Sequence, residues 1–316
     1  MDEFDRIATI FRPLTQHAPE ALELRDDAAW LQPPAGHTLI ATADALVAGV
    51  HFLGTEAPAL IAQKALRVNL SDLAAMGAAP YGFLLTTQLP ADLPVAWLEG
   101  FAQGLRADMA EFGVKLFGGD STRTTGPLTL SVTMLGLLPA GVAPLRRNGA
   151  RVGDAVLVTG SLGAAALGLH ALRGGIDAPA LVARYHLPQP RLNAVYVLRG
   201  RASAALDISD GLLQDAGHIA RESGVKLVID ASALPLADTP PEYTMQQRYD
   251  AALAGGDDYE LLVTTPIAHV AEITKQLQSV GISCAQVGVV EAGQGVTCLH
   301  LPDGVVMPQA TGWQHF

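Results

Sequence analysis

The chain has 316 residues, 49% of them hydrophobic and 16% charged, and a formal net charge of −11. The apolar content excludes a disordered chain and the length suits two domains, while the acidic balance excludes general nucleic-acid or anionic-membrane binding. No run of about 18 apolar residues appears, and the opening MDEFDRIATIF is acidic, so neither a membrane span nor a signal peptide is expected.

In chain order, HTLIATADAL (37–46) predicts a strand that closes at Asp44. KALRVNLSDLAAMGAAP (64–80) predicts a helix, because Leu66, Leu70, Leu73 and Gly77 recur on one face. Asn69 and Asp72 flank that stripe, and an ionised carboxylate resists burial unless a cation compensates it. PVAWLEGFAQGLRADMAEFG (94–113) is an amphipathic helix, with Pro94 suited to its first turn and Gly113 to its end. A short strand VKLF then runs into GGDST, and LTLSVTMLGLL (128–138) alternates as a strand with one buried face.

The tract PAGVAPLRRNGARVGD (139–154) is rich in Pro, Gly and Arg, and the domain boundary is placed there, at 148/149. Strand AVLVTG, a glycine turn and an alanine-rich helix follow, with further strands at ALDIS, VKLVID, YELLVTT and AQVGVV. Helices are expected over 190–201, 211–223 and 268–280, and PDG (302–304) as a hairpin turn between VTCLHL and VVM. The result is two α/β domains of similar size. Cys284 and Cys298 match no metal or redox spacing and suit a reducing cytoplasm.

Aspartates recur at the ends of apolar strands or beside glycine: Asp26 and Asp27 in LRDDAAW, Asp44, Asp120 in FGGD, Asp207 and Asp210 in LDISDGL, and Asp257 and Asp258 in AGGDDYEL. Strand ends in α/β proteins are where functional groups collect. Taken singly, Asp210 reads equally as a helix cap and Asp120 as a turn residue. Converging carboxylates repel unless cations lie between them, and hard oxygen ligands without a His/Cys cluster point to magnesium. There is no Gly-Lys dipeptide, hence no Walker A loop, and VTGSLGAAALGL misses the dinucleotide glycine spacing.

The blocks DDAAW, ATADALVAGVHF, KALRVNLSDLAAMGA, FGGDST, RRNGARVGD, LDISDGLLQDAGHIA, GGDDYEL and GWQHF, in that order, resemble the thiamine-monophosphate kinase family. The resemblance implies an aminoimidazole-ribotide-synthetase-like fold: two α/β (α+β) domains with mixed sheets packed with helices, and a homodimer holding ATP in a cleft. It implies a metal- and ATP-binding, dimerising N-terminal domain (1–148) and a C-terminal domain (149–316) that completes the cleft. Magnesium ions are then held by Asp27, Thr42, Asp44, Asp72, Asp120, Asp207 and Asp210, with Asp72 and Asp120 as the catalytic pair. ATP contacts fall on Gly119, Asp120, Arg147 and Ser209, and thiamine monophosphate contacts on His51, Asp257 and Trp313.

Outside the resemblance, His51 reads as a structural strand-end histidine, Arg147 as a solvated linker charge, and Trp313 as a tail anchor or a stacking aromatic. Three positions depart from the family pattern. Ala43 stands where a second Thr or Ser is common, Asp257 replaces the Glu of GGEDYEL, and LRDDAAW lacks preceding glycines. The implied reaction is ATP-dependent phosphorylation of thiamine monophosphate to the diphosphate. The competing readings are another ATP-using synthetase of the superfamily, a magnesium-dependent phosphohydrolase, and a non-catalytic nucleotide-binding regulator.

Overall fold

The structure, a computed structural model, describes residues 3–313, with side chains from residue 5 onward. The last three residues of the GWQHF block therefore lie outside it. The chain divides into two compact units, one of residues 1–73 and 78–142, the other of residues 74–77 and 143–316. The division between Val142 and Ala143 falls inside the Pro/Gly/Arg-rich tract. Among the described residues no helix is long and apolar enough to cross a membrane.

The first unit opens with the helical turn α1 (Glu3–Arg6) and further single turns up to Leu24. Its frame is β1 (His37–Val47), α2 (Pro58–Ala75), β2 (Ala79–Pro90), α3 (Val95–Phe112), β3 (Lys115–Thr124) and β4 (Thr129–Pro139). The strands form a sheet in the order β1-β4-β2-β3, in which only the β2–β3 pair is parallel. Leu66, Leu70 and Leu73 of α2 are fully buried, as are Phe83, Leu130, Val132 and Met134 of the sheet. The predicted stripe thus forms the core. Between α2 and α3, buried Arg67 is held bidentately by buried Asp108, at 2.8 and 2.9 Å, and also bonds Glu111.

Three expectations are corrected here. β1 does not close at Asp44 but continues to Val47, paired with β4 along its length. The helix of Asp72 begins earlier, at Pro58, and ends at Ala75, where the Ala78 amide bonds back to Leu73 and Gly77 turns left-handed (φ 73°). α3 spans Val95–Phe112 with Gly113 as its left-handed cap, as its sequence predicts. GGDST is not a loop after a short strand: β3 runs on through it to Thr124. The glycines permit close strand approach, since a Cβ on Gly119 would lie 1.8 Å from the Leu85 carbonyl oxygen.

The second unit carries β5 (Asp154–Thr159), α4 (Ala164–Gly174), α5 (Pro179–His186), α6 (Val195–Leu198), β6 (Ala204–Ile208), α7 (Leu212–Ser223), β7 (Lys226–Asp230), α8 (Met245–Ala254), β8 (Glu260–Pro266), α9 (Val270–Ser279), β9 (Cys284–Glu291) and β10 (Gly295–Leu299). Its mixed sheet runs β10-β7-β9-β5-β8-β6, with only β10–β7 parallel. β5 and β6 are buried along their whole length, with Asp154, Thr159 and Asp207 the polar residues among them. α7 lays Leu212, Leu213, Ala216, Ile219 and Ala220 into a core shared with Ile208, Leu227 and Ile229.

Two more expectations change. The helix expected over 190–201 is a 3-10 turn (Leu192–Ala194) followed by the one-turn α6. The PDG turn forms, closed by Val305 N–H to Pro302 O, but VVM adds no strand. The backbone of Val306 is instead captured by the Gln246 side chain of α8, through bonds of 2.9 and 3.0 Å.

Candidate active site

In the first unit, the register aligns Thr42 with Met134 and Asp44 with Val132, both buried, so strand alternation puts the two polar residues on the core face beside α2. The helix meets them there. Thr42 Oγ1 donates to Asp72 Oδ2 at 2.5 Å, and the Asp44 amide donates to Asn69 Oδ1 at 3.2 Å. Asn69 is itself fixed, its Nδ2 donating to the Ala65 carbonyl. Burial, and then the negative charge of Asp72, push the Asp44 carboxyl up to about 6. Thr42, Asp44 and Asp72 therefore form one oxygen-rich group in which ionisation of Asp44 is resisted.

Asp120 is exposed on β3 and its Oδ1 accepts the Ser121 amide at 2.9 Å. Its row across the sheet is Thr86, Ser131 and Ala45, the alternate of the row containing Asp44 and Val132. The register thus places Asp120 one row from Asp44 and not with it. Asp27 is exposed in a bend. His51 follows β1, where its Nδ1 accepts the Val47 amide at 3.0 Å, leaving Nε2 as the protonated nitrogen of the neutral ring. The structural reading of His51 is met here: one ring nitrogen holds the turn.

In the second unit, Asp207 is buried on the edge strand β6, paired with Leu261. The Ser209–Asp210–Gly211 loop leads from β6 into α7. Asp210 is not the helix cap. Asp215, on the first turn of α7, turns one oxygen back onto the loop, and that Oδ2 accepts the amides of Ser209, Asp210 and Gly211, each at 3.1 Å. Burial and then the Asp210 charge push Asp215 up to about 7, against the opposing pull of those amides and of Arg147. Arg147 is exposed, but its charge reaches both Asp215 and His218; its carbonyl is fixed by the Ser223 hydroxyl at 2.8 Å. Asp210, Asp215 and His218 offer ligand atoms within 4.8 Å of one another.

Asp257 and Trp313 come to the same loop. The Asp257 amide donates to Ser209 O and the Trp313 amide to Asp210 O, both at 2.9 Å. Asp257 has φ 69° and accepts the Tyr259 hydroxyl at 3.2 Å. Its neighbour Asp258 is turned inward, fully buried, accepting the Gly163 amide at 2.8 Å, and burial pushes it up to about 8. Glu260 is also fully buried and paired with Arg184 and Arg191. The acids of GGDDYEL thus divide into Asp257, whose backbone is tied to the loop, and two that build the interior.

Sequence reasoning missed Asp215 and Gln214, and placed Asn69 beside Asp72 without giving it a role. Asp215 had a signal, an acid on the first turn of a helix that follows an SDG loop. Asn69 had one too, sitting three residues from Asp72. The donor set fits a hard divalent cation: carboxylates and a hydroxyl in the first unit, carboxylates and one imidazole in the second.

Two family models match the chain, AIR synthase related protein, N-terminal domain, over residues 25–138, and its C-terminal domain over residues 151–300. Fold and matches define a two-domain AIR-synthase-related protein. The thiamine-monophosphate kinase of Caulobacter vibrioides is 42% identical over 322 residues, covering 99% of this chain and 90% of its own. The crystal structure of thiamine-monophosphate kinase from Stenotrophomonas maltophilia K279a superposes with TM-score 0.83 at 40% identity, over 95% of each chain. The solved "AaThiL complexed with AMPPCP and TMP" gives TM-score 0.78 at 34% identity, over 92% of this chain and 91% of that one. The chain belongs to the thiamine-monophosphate kinase family.

Proposed function

We infer that the protein transfers the γ-phosphoryl group of ATP to the phosphate of thiamine monophosphate, giving thiamine diphosphate and ADP. The observation that carries this reading is the Thr42–Asp44–Asp72 group, where burial and a neighbouring charge resist ionisation of Asp44 and a cation would reverse that resistance. The AMPPCP and TMP of the related complex support ATP and thiamine monophosphate as the substrates.

The acceptor is a phosphate oxygen whose second pKa is about 6, so it is largely ionised at neutral pH and needs no general base. The barrier is repulsion between anions: one unit-charge pair about 4 Å apart costs on the order of 4 kcal/mol at an effective dielectric of 20. Magnesium, when bound, supplies the positive charge that offsets this repulsion and steadies the leaving diphosphate. Asp27, Thr42, Asp44, Asp72, Asp120, Asp207 and Asp210 are the residues proposed to hold several such ions. Asp72 and Asp120 are the pair on which turnover depends most. Backbone groups at Gly119 and Asp120, with Arg147 and Ser209, position ATP. His51 and Asp257 are assigned to contact the thiamine monophosphate, and Trp313 to present an aromatic face to the pyrimidine or the cationic thiazolium.

Residues 1–148 form the metal- and ATP-binding, dimerising domain in this proposal, and residues 149–316 complete the cleft of a cytoplasmic homodimer. The cysteines agree with a reducing compartment: both are free, and burial pushes the Cys284 thiol up to about 12. The deciding experiment incubates the protein with Mg-ATP and thiamine monophosphate and measures thiamine diphosphate and ADP. Equal amounts are expected. Phosphate release independent of thiamine monophosphate would instead identify a hydrolase.

A further inference from the structure

Between residues 210 and 214 the chain forms a docking strip for its own tail. Asp210 O accepts the Trp313 amide at 2.9 Å, and the Gln214 amide donates to Thr311 O at 3.1 Å. Gly312 lies between these bonds, so close that a Cβ there would be 2.7 Å from both Asp210 O and Gln214 Cβ. Across this strip reaches one side chain. Gln214 Nε2 donates to Asp210 Oδ2 at 2.9 Å and to Trp313 O at 2.8 Å. Both partners are acceptors, which fixes the orientation of the amide: its nitrogen must face them.

We propose that Gln214 is a positioning residue that staples the tail segment 311–313 to the Ser209–Asp210 loop, so that Trp313 is held where the thiamine moiety binds. This deepens the function proposed above and rests on it for the identity of the substrate. The geometry supplies the rest. One NH2 group spends one hydrogen on a carboxylate assigned to metal binding and the other on the carbonyl of an aromatic residue assigned to substrate binding. A segment held by two backbone bonds alone opens more readily than one that a side-chain bond also holds, because local opening must break each bond in turn. Gln214 touches neither ATP nor the reacting phosphates in this proposal, so it acts through Trp313.

The test uses the full chain and two variants of unlike chemistry. Gln214→Ala removes both amide bonds, whereas Gly312→Ala leaves Gln214 intact and pushes the tail off its strip. Hydrogen–deuterium exchange followed by mass spectrometry reads the C-terminal peptide without any catalysis, and steady-state kinetics read the two substrates separately. Loss of one such bond is expected to speed exchange of the C-terminal peptide about fivefold. The KM for thiamine monophosphate should rise about fivefold or more in both variants, while that for ATP stays within about twofold. Unchanged exchange in both variants would overturn the staple. Faster exchange with an unchanged KM for thiamine monophosphate, or a rise confined to ATP, would overturn its link to the substrate. If the wild-type chain forms no thiamine diphosphate, the proposed function and the substrate half of the inference fail together, and exchange alone still decides the staple.

Discussion

The hydroxyl of Thr42 donates to Oδ2 of Asp72 across 2.5 Å, joining the edge strand β1 to helix α2 at a carboxylate. The bond orients the Asp72 carboxylate, which is proposed to hold a cation. Thr42→Val keeps the branched shape and removes the donor, so the magnesium concentration for half-maximal activity should rise about tenfold, the worth of one charge-assisted bond. Asp72→Asn keeps the shape and removes the charge; turnover is expected to vanish while circular dichroism and thermal unfolding stay as in the wild type. Near-normal turnover of Asp72→Asn at saturating magnesium would contradict the assignment.

Asp120 is exposed, and its carboxylate bonds only the adjacent amide among its described partners. Asp120→Asn should therefore change unfolding free energy by no more than about 0.5 kcal/mol, yet remove turnover. Urea unfolding and the coupled assay for ADP measure the two separately. A stable and active variant would place Asp120 outside the machinery.

One oxygen of Asp215 holds three consecutive amides of the loop that carries Ser209 and Asp210. Asp215→Ala strands those amides beside a buried helix start, at a cost of about 2–4 kcal/mol. Asp215→Asn retains an acceptor oxygen and should recover part of that loss. Denaturant unfolding should rank wild type above Asn above Ala, and ATP affinity should follow the same order. Equal stability of all three chains would remove Asp215 from the loop's support.

Asp258 is raised by burial from an ordinary 3.8 to about 8, so the folded chain retains a proton that the unfolded chain releases. The sign follows from linkage: the contribution is complete below about 3.8 and is lost as pH rises through about 8. Asp258→Asn, neutral at every pH, lacks that loss. Its melting temperature should gain on the wild type progressively between pH 5 and pH 8.5. Parallel melting curves across that range would show that Asp258 is already ionised in the folded protein.

Corrections to the sequence reading cluster where backbone and side chain give opposite signals. GGDST reads as a turn because paired glycines usually end strands, but here they admit β3 against the Leu85 carbonyl and the strand continues. VVM reads as a strand by its composition, yet Gln246, about 60 residues away in sequence, takes the hydrogen bonds a strand partner would have taken. No local pattern reports such a distant claim on the backbone.

Most of the strands and helices, the apolar stripe of α2 and the acid-bearing blocks were determined by the sequence alone, because periodicity and residue chemistry act locally and survive without coordinates, whereas β2, α5 and α8 emerged only with the structure. Tertiary structure decided which acids serve which purpose. Asp257 ties its backbone to the Ser209 loop while Asp258 beside it is buried as a helix anchor, and Asp215 rather than Asp210 gathers the loop amides. The physical reason is that a carboxylate's role is set by the donors and charges around it, and those arrive from residues far apart along the chain.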